Sequence, residues 1–248
     1  MTSLVRKAAL LGACGLFMAS IASAAVPDPA HSDIPAFIIA CGVQTAAGGV
    51  PDPGTAPGNP PTLVTITVRD FTNAPIAGSN VEINYNNCSD TKLCTVVVAG
   101  RTVDCPSRAV RLSTDTFGQA SVRVLGASIN TGLPVPPAIF GGAGSGCIRI
   151  YADGLQLGTS TSVTLDQNGA LPGSGNNGVN GLDLSIAKND VGAIGFGAAY
   201  KGRTDYSRDN AVNGLDLSFL KTDVGQSGLG LGSGAGCASG GTVQPYCL

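Results

Sequence analysis

One stretch of this chain is written twice. Residues 179–192 read VNGLDLSIAKNDVG and residues 212–225 read VNGLDLSFLKTDVG, 33 positions further on and with three differences. In each copy apolar residues recur on one helical face, at Leu184, Ala187 and Val191 and at Leu217, Leu220 and Val224. Gly192 and Gly225 follow as helix C-caps. Helices this short are marginal in water. The two units are therefore expected to pack by their apolar faces, with something fixing where each helix begins.

The residues ahead of the second helix supply that something. Counted from Asp205 as position 1, oxygen-bearing side chains fall at positions 1, 3, 5, 9 and 12: Asp205, Ser207, Asp209, Asn213 and Asp216. A loop of about 12 residues with this spacing wraps a calcium ion, which takes about six to eight hard oxygen ligands. Asp205, Ser207 and Asp209 offer side-chain oxygens, Ala211 its backbone carbonyl, and Asn213 a direct or water-borne contact. Asp216 closes the loop bidentately at the helix start. Asn210 occupies the position where such loops carry Gly, and Asn is the next most tolerant of positive φ. The competing reading is an Asx-rich turn that merely caps a helix. The fit at every side-chain position, and its recurrence in the partner copy, favour calcium.

The first copy is less regular. Counting back from Asp183 puts Pro172 at position 1, where no side chain can ligate. Asp166 and Asn168 lie just upstream and open a loop; an insertion within 171–177 then precedes Asn180 and Asp183. The expected ligands are Asp166, Asn168, Asn180 and Asp183. Two carboxylates in place of three predict weaker binding, since affinity follows ligand charge.

Upstream the pattern changes to strand and turn. In 63–69 Val64, Ile66 and Val68 alternate with Thr65, Thr67 and Arg69, and Val81, Ile83 and Tyr85 alternate with Glu82 and Asn84. Period-two alternation marks half-buried strands. Short strands are also expected at 96–99, 108–113, 120–125, 147–152 and 160–165. Turn residues separate them, at Asn73-Ala74-Pro75, Ala77-Gly78, Asp115 to Gly118 and Asp153-Gly154. About seven or eight short strands predict an antiparallel β-sandwich. Residues 49–61 and 126–146 are Pro/Gly-rich and are expected as long loops. The 36 glycines, about twice the usual share, agree with a turn-rich β protein.

The first residues read as a targeting segment. Arg6 and Lys7 precede an apolar run over 8–21, too short to span a bilayer, and Ala22-Ser23-Ala24 follows as a cleavage site. The mature chain is expected from Ala25, outside the cytoplasm, in the periplasm, at the cell surface or in the medium, with no transmembrane segment. Removing Cys14 leaves seven cysteines, read as disulfides because no CxxC or Cys/His cluster suggests zinc. Cys237 with Cys247 is the simplest pairing, Cys88, Cys94 and Cys105 are close enough for one local bridge among them, Cys41 could tie the first strand to Cys147, and one thiol of the seven is left over.

Two resemblances follow from these residues. VTITVRDFTNAPIAGSNVEINY (64–85) and STDTFGQASVRV (113–124) resemble bacterial immunoglobulin-like domains of the invasin/intimin kind. That family implies a spacer, display or adhesion module. DYSRDNAVNGLDLSFLK (205–221) and, less fully, DQNGA with GVNGLDLSIAK (166–170 and 178–188) resemble type I dockerin repeats, calcium loops of EF-hand type each followed by one helix. Dockerins bind cohesin domains on scaffold proteins and anchor polysaccharide-degrading enzymes. Where the family often has a Ser-Thr-like pair in the cohesin contact, this chain has Gly181-Leu182 and Gly214-Leu215. The resulting division is a signal peptide (1–24), an immunoglobulin-like β-sandwich (25–165), a dockerin-like calcium module (166–225) and a Gly-rich tail with a Cys pair (226–248).

The expected function is non-catalytic: calcium binding and docking onto a cohesin-like partner, or else calcium stapling of a structural or adhesive protein. The β part's acids, Asp70, Glu82, Asp90, Asp104, Asp115 and Asp153, fall mostly at turns, and the single His31 sits in an N-terminus expected to be loose. No basic run marks a nucleic-acid partner, and the absence of Trp gives polysaccharide binding little support.

Overall fold

The computed structural model describes residues 25–41, 63–88, 91–93, 101–128, 146–164, 181–194, 204–207, 209, 211–223, 238–239 and 242–243. The targeting segment, the strand expected at 96–99, the loop 49–61, Cys237 and Cys247 lie outside these residues.

The structure is mainly β. Among the described residues ten strands precede two helices: β1 (Phe37–Cys41), β2 (Val64–Thr67), β3 (Asn80–Asn84), β4 (Thr91–Leu93), β5 (Arg101–Asp104), β6 (Ala109–Ser113), β7 (Gln119–Val122), β8 (Val124–Ser128), β9 (Ile148–Ala152) and β10 (Leu155–Thr164), then α1 (Gly181–Asn189) and α2 (Gly214–Asp223). A small hairpin, β11 (Ala238–Ser239) with β12 (Thr242–Val243), lies in the tail. Among the described residues no helix is long and apolar enough to cross a membrane.

Eight strands form one sheet in the order β4-β8-β1-β10-β9-β3-β6-β5, and β2 pairs with β7 separately. The alternating residues behave as their pattern requires. Val64, Ile66 and Val68 turn inward from the β2 segment, and Val81, Ile83 and Tyr85 turn inward from β3, all into one apolar cluster with Ile38, Ile148 and Ile150. Burying each such side chain contributes about 1.5–3 kcal/mol.

Four expectations need correction. First, the sheet is mixed: β1 runs parallel to both β8 and β10, while every other pairing among the ten strands is antiparallel. β1 is far in sequence from both neighbours, so no hairpin dictates its direction. Second, strand β8 continues to Ser128, into the stretch expected as loop from 126. Third, Cys147 is bonded to Cys88, not Cys41. β3 and β9 are adjacent and antiparallel, which brings Cys88 and Cys147 together just beyond the Asn84–Arg149 pair. Cys105 is also disulfide-bonded. Fourth, the segment around His31 is tied down: the Asp28 N–H donates to the Arg69 carbonyl at 2.7 Å, and Asp33 and Thr67 exchange backbone bonds.

The turns sit where the Gly and Asx residues placed them. Gly118 has φ 72°, and a Cβ there would lie 2.6 Å from the Val68 carbonyl, so both backbone angle and space exclude a side chain. Asp70 Oδ1 accepts from the Thr72 hydroxyl and from the N–H groups of Thr72 and Ala74. These bonds, the Thr72 hydroxyl foremost, hold the Asp70 carboxyl below its usual range. A carboxyl depressed in the fold stabilises above its ordinary value, and that contribution is lost as pH falls through the folded value. Asp70→Ala is expected to lower the thermal midpoint at neutral pH and to flatten its decline below about pH 4, the ordinary Asp range. Acid melts of both proteins test this; equal slopes refute it.

The Cys88–Cys147 bridge closes a sequence separation of 59. Replacing both cysteines by Ser is expected to cost about 2–4 kcal/mol, read from the denaturant midpoint.

Candidate metal centre

The site is built from a turn, a helix start and one buried tyrosine. Asp209 begins it: its Oδ1 accepts the Ala211 N–H at 2.9 Å and its Oδ2 accepts from Asn213 Nδ2 at 2.8 Å. Asn213 then caps α2, its Oδ1 accepting the Leu215 N–H at 2.7 Å. Asp216, three residues on, reaches back and accepts the Asn213 N–H at 2.8 Å. This is a reciprocal capping box written with Asn and Asp. The second Asp216 oxygen accepts the Ser207 N–H at 2.8 Å and so folds the front of the loop onto the helix start.

Three carboxylates converge as a result. Asp205, Asp209 and Asp216 each place an oxygen within 4.8 Å of the others. Asp205 and Asp216 are each 1% exposed, and Asp209 is at the surface. Burial pushes the Asp216 carboxyl up, and the neighbouring Asp205 charge adds to this, against the downward pull of the Ser207 and Asn213 N–H groups. No ion pair among the described residues involves Asp209 or Asp216. Buried like charges this close are costly unless a cation or a proton intervenes. The all-oxygen donor set fits a hard divalent cation.

Of the other expected ligands, Ser207 lies beside Asp205, its hydroxyl 3.3 Å from Asp205 Oδ1. Ala211 pairs with Ile194 in a β-bridge. Asn213 is in place, with its side-chain oxygen engaged in the helix cap. In the first copy Asp183 is 0% exposed. Asp166, Asn168 and Asn180 lie outside the described residues.

The two copies match closely in environment. From Gly181 to Lys188 and from Gly214 to Lys221 the sequence of buried, half-buried and exposed positions is identical. Ala187 and Leu220 are buried as their spacing predicted. Val191 is not: α1 ends at Asn189, the chain turns, and Val191 is 44% exposed. Gly192, at φ 92°, makes that turn. Its N–H donates to the Val212 carbonyl, and the Val212 N–H donates to the Ala193 carbonyl, both at 2.9 Å. Val212, itself buried, is thus joined by a two-bond backbone bridge to the end of α1.

Tyr206 and Asp190 belong to no expected ligand set. Tyr206 is buried, and its hydroxyl donates to the Thr164 carbonyl at 2.9 Å. Asp190 is buried and accepts from the Thr204 hydroxyl at 3.2 Å. A signal for Asp190 was present: an acid recurs at the C-terminal end of both helices, where the helix dipole disfavours it.

No family model, curated protein or solved structure matches this chain.

The capping box makes a local prediction. Asn213→Ala is expected to cost about 1 kcal/mol, seen in chelator as an earlier thermal loss of helical circular dichroism. An unchanged melt refutes the cap.

Proposed function

We propose that this chain is an exported, non-catalytic, calcium-binding protein in which a dockerin-like pair of loop-helix units docks onto a cohesin-like partner and an immunoglobulin-like sandwich is displayed. One observation carries the reading: the carboxylates of Asp205, Asp209 and Asp216 converge in one loop, two of them buried. Asp205, Ser207, Asp209 and Asp216 with the Ala211 carbonyl would hold the ion, with Asn213 contributing through water. Calcium is favoured over magnesium because the loop offers many oxygens, whereas magnesium keeps its waters and demands regular octahedral geometry. The buried Asp183 and the matching environments of the two helices support a second, weaker site in the first copy. The common apolar cluster of the long sheet and the β2–β7 pair supports the sandwich. The Cys88–Cys147 bond supports an oxidising compartment.

Docking draws support from the helix starts. Leu182 and Leu215 are 51% and 50% exposed at equivalent positions, with Lys188 and Lys221 exposed beyond them. Among the described residues a Cβ at Gly181 or Gly214 would meet nothing within 4 Å, so no packing among them explains these glycines. The non-catalytic reading draws support from the acids of the β part. Asp70 and Asp115 hold turns, Asp153 accepts from Ser79 and Asn80, and Glu82 and Asp104 pair with Arg111. A second reading, calcium as a staple for a structural or adhesive protein, is favoured by the Tyr206–Thr164 bond.

Calorimetry on the full chain tests the calcium reading. Calcium at about 100 times Kd should add about 2.7 kcal/mol of stability. Asp216→Ala should abolish most of the binding heat and Asp183→Ala a smaller part. Absence of binding in the unmodified protein sinks the reading. Calcium-dependent retention on an immobilised cohesin domain supports docking, and calcium binding without retention transfers the reading to the staple.

A further inference from the structure

Tyr206 stands between two residues of the proposed calcium loop, and both flanks are held by it. On one side Asp205 contributes to the carboxylate cluster. On the other the Ser207 N–H is bonded to Asp216. The direction of the Tyr206 side chain is therefore set by the same carboxylates that would hold the ion. Its hydroxyl reaches the carbonyl of Thr164, the last residue of β10 and 42 positions away in sequence. Thr164 is paired with Ala40 of β1, in the interior of the long sheet. The neighbouring pair, Ile39 and Val163, points away from the core cluster, yet the two are 1% and 0% exposed. The outer face of the sheet is thus covered at the end where Tyr206 arrives.

We infer that Tyr206 is a calcium-controlled latch, which couples ion binding in the loop to closure of the β10 end of the sheet. The inference rests on the calcium reading. Without the ion, the buried Asp205 and Asp216 charges repel, the 205–207 backbone relaxes and the tyrosine loses its aim. With the ion, the loop is fixed and the hydroxyl closes on Thr164. The coupling is reciprocal by thermodynamic necessity: whatever calcium adds to closure, closure adds to calcium affinity. One net hydrogen bond corresponds to a change of about two- to tenfold in an equilibrium constant.

The test combines calorimetry with hydrogen–deuterium exchange on the full chain, using calcium chloride or EDTA. Tyr206→Phe keeps the ring and its packing and removes only the hydroxyl, so the fold is retained. In the unmodified protein calcium should slow exchange in the peptide spanning β10. In Tyr206→Phe calcium should still bind, about two- to tenfold more weakly, and at saturation the β10 peptide should exchange as it does in EDTA. Calcium binding without slowing of β10 overturns the latch and leaves the calcium reading standing. Full slowing in Tyr206→Phe overturns it as well. Absence of calcium binding in the unmodified protein removes both.

Discussion

The long sheet depends on a single buried strand. β1 lies between β8 and β10 and joins the β4–β8 pair to the remaining five strands. It can do so because FIIAC is apolar on both faces: Ile38 and Ala40 enter the core, and Ile39 is buried on the other side. A strand covered on both faces loses the alternation that marks a half-solvated one. The parallel direction of β1 also requires long connections at both of its partners, so the order of strands in space departs widely from their order in the chain.

This explains which parts of the fold were legible in the sequence. β2, β3, β6, β7 and β9 could be read because each shows one face to water and one to the core. Thr65 is exposed between buried Val64 and Ile66, and Arg149 between buried Ile148 and Ile150. Asn73, Gly78, Gly118 and Gly154 announced their turns because positive φ restricts the residues that fit, and all four have it. β4 and β5 could not be read. TKL and RTVD are too short for a period to register, and they become strands by pairing with β8 and β6. The cysteine pairing was illegible for the same reason, since it follows from the adjacency of β3 and β9.

The candidate metal centre was legible to a different degree. The positions of Asp205, Asp209 and Asp216 follow from spacing alone, because a short loop leading into a helix leaves few ways to arrange them. The division of labour among them does not follow. Asn213 and Asp216 spend hydrogen bonds on capping α2, and Asp209 binds the turn it belongs to. A local pattern reports which oxygens are near one another. It does not report the long-range partner of a side chain lodged among them, and Tyr206 finds its partner on a strand from the other part of the chain.

The disulfide has a consequence for the fate of a damaged molecule. Residues between Cys88 and Cys147 include the strands from β4 to β8. A protease that cut once anywhere in that interval would open the chain without releasing a fragment. The halves would stay covalently joined beside the β3–β9 pair, with the paired strands still in register. The bridge turns such a cut from a dissociation into a local scar.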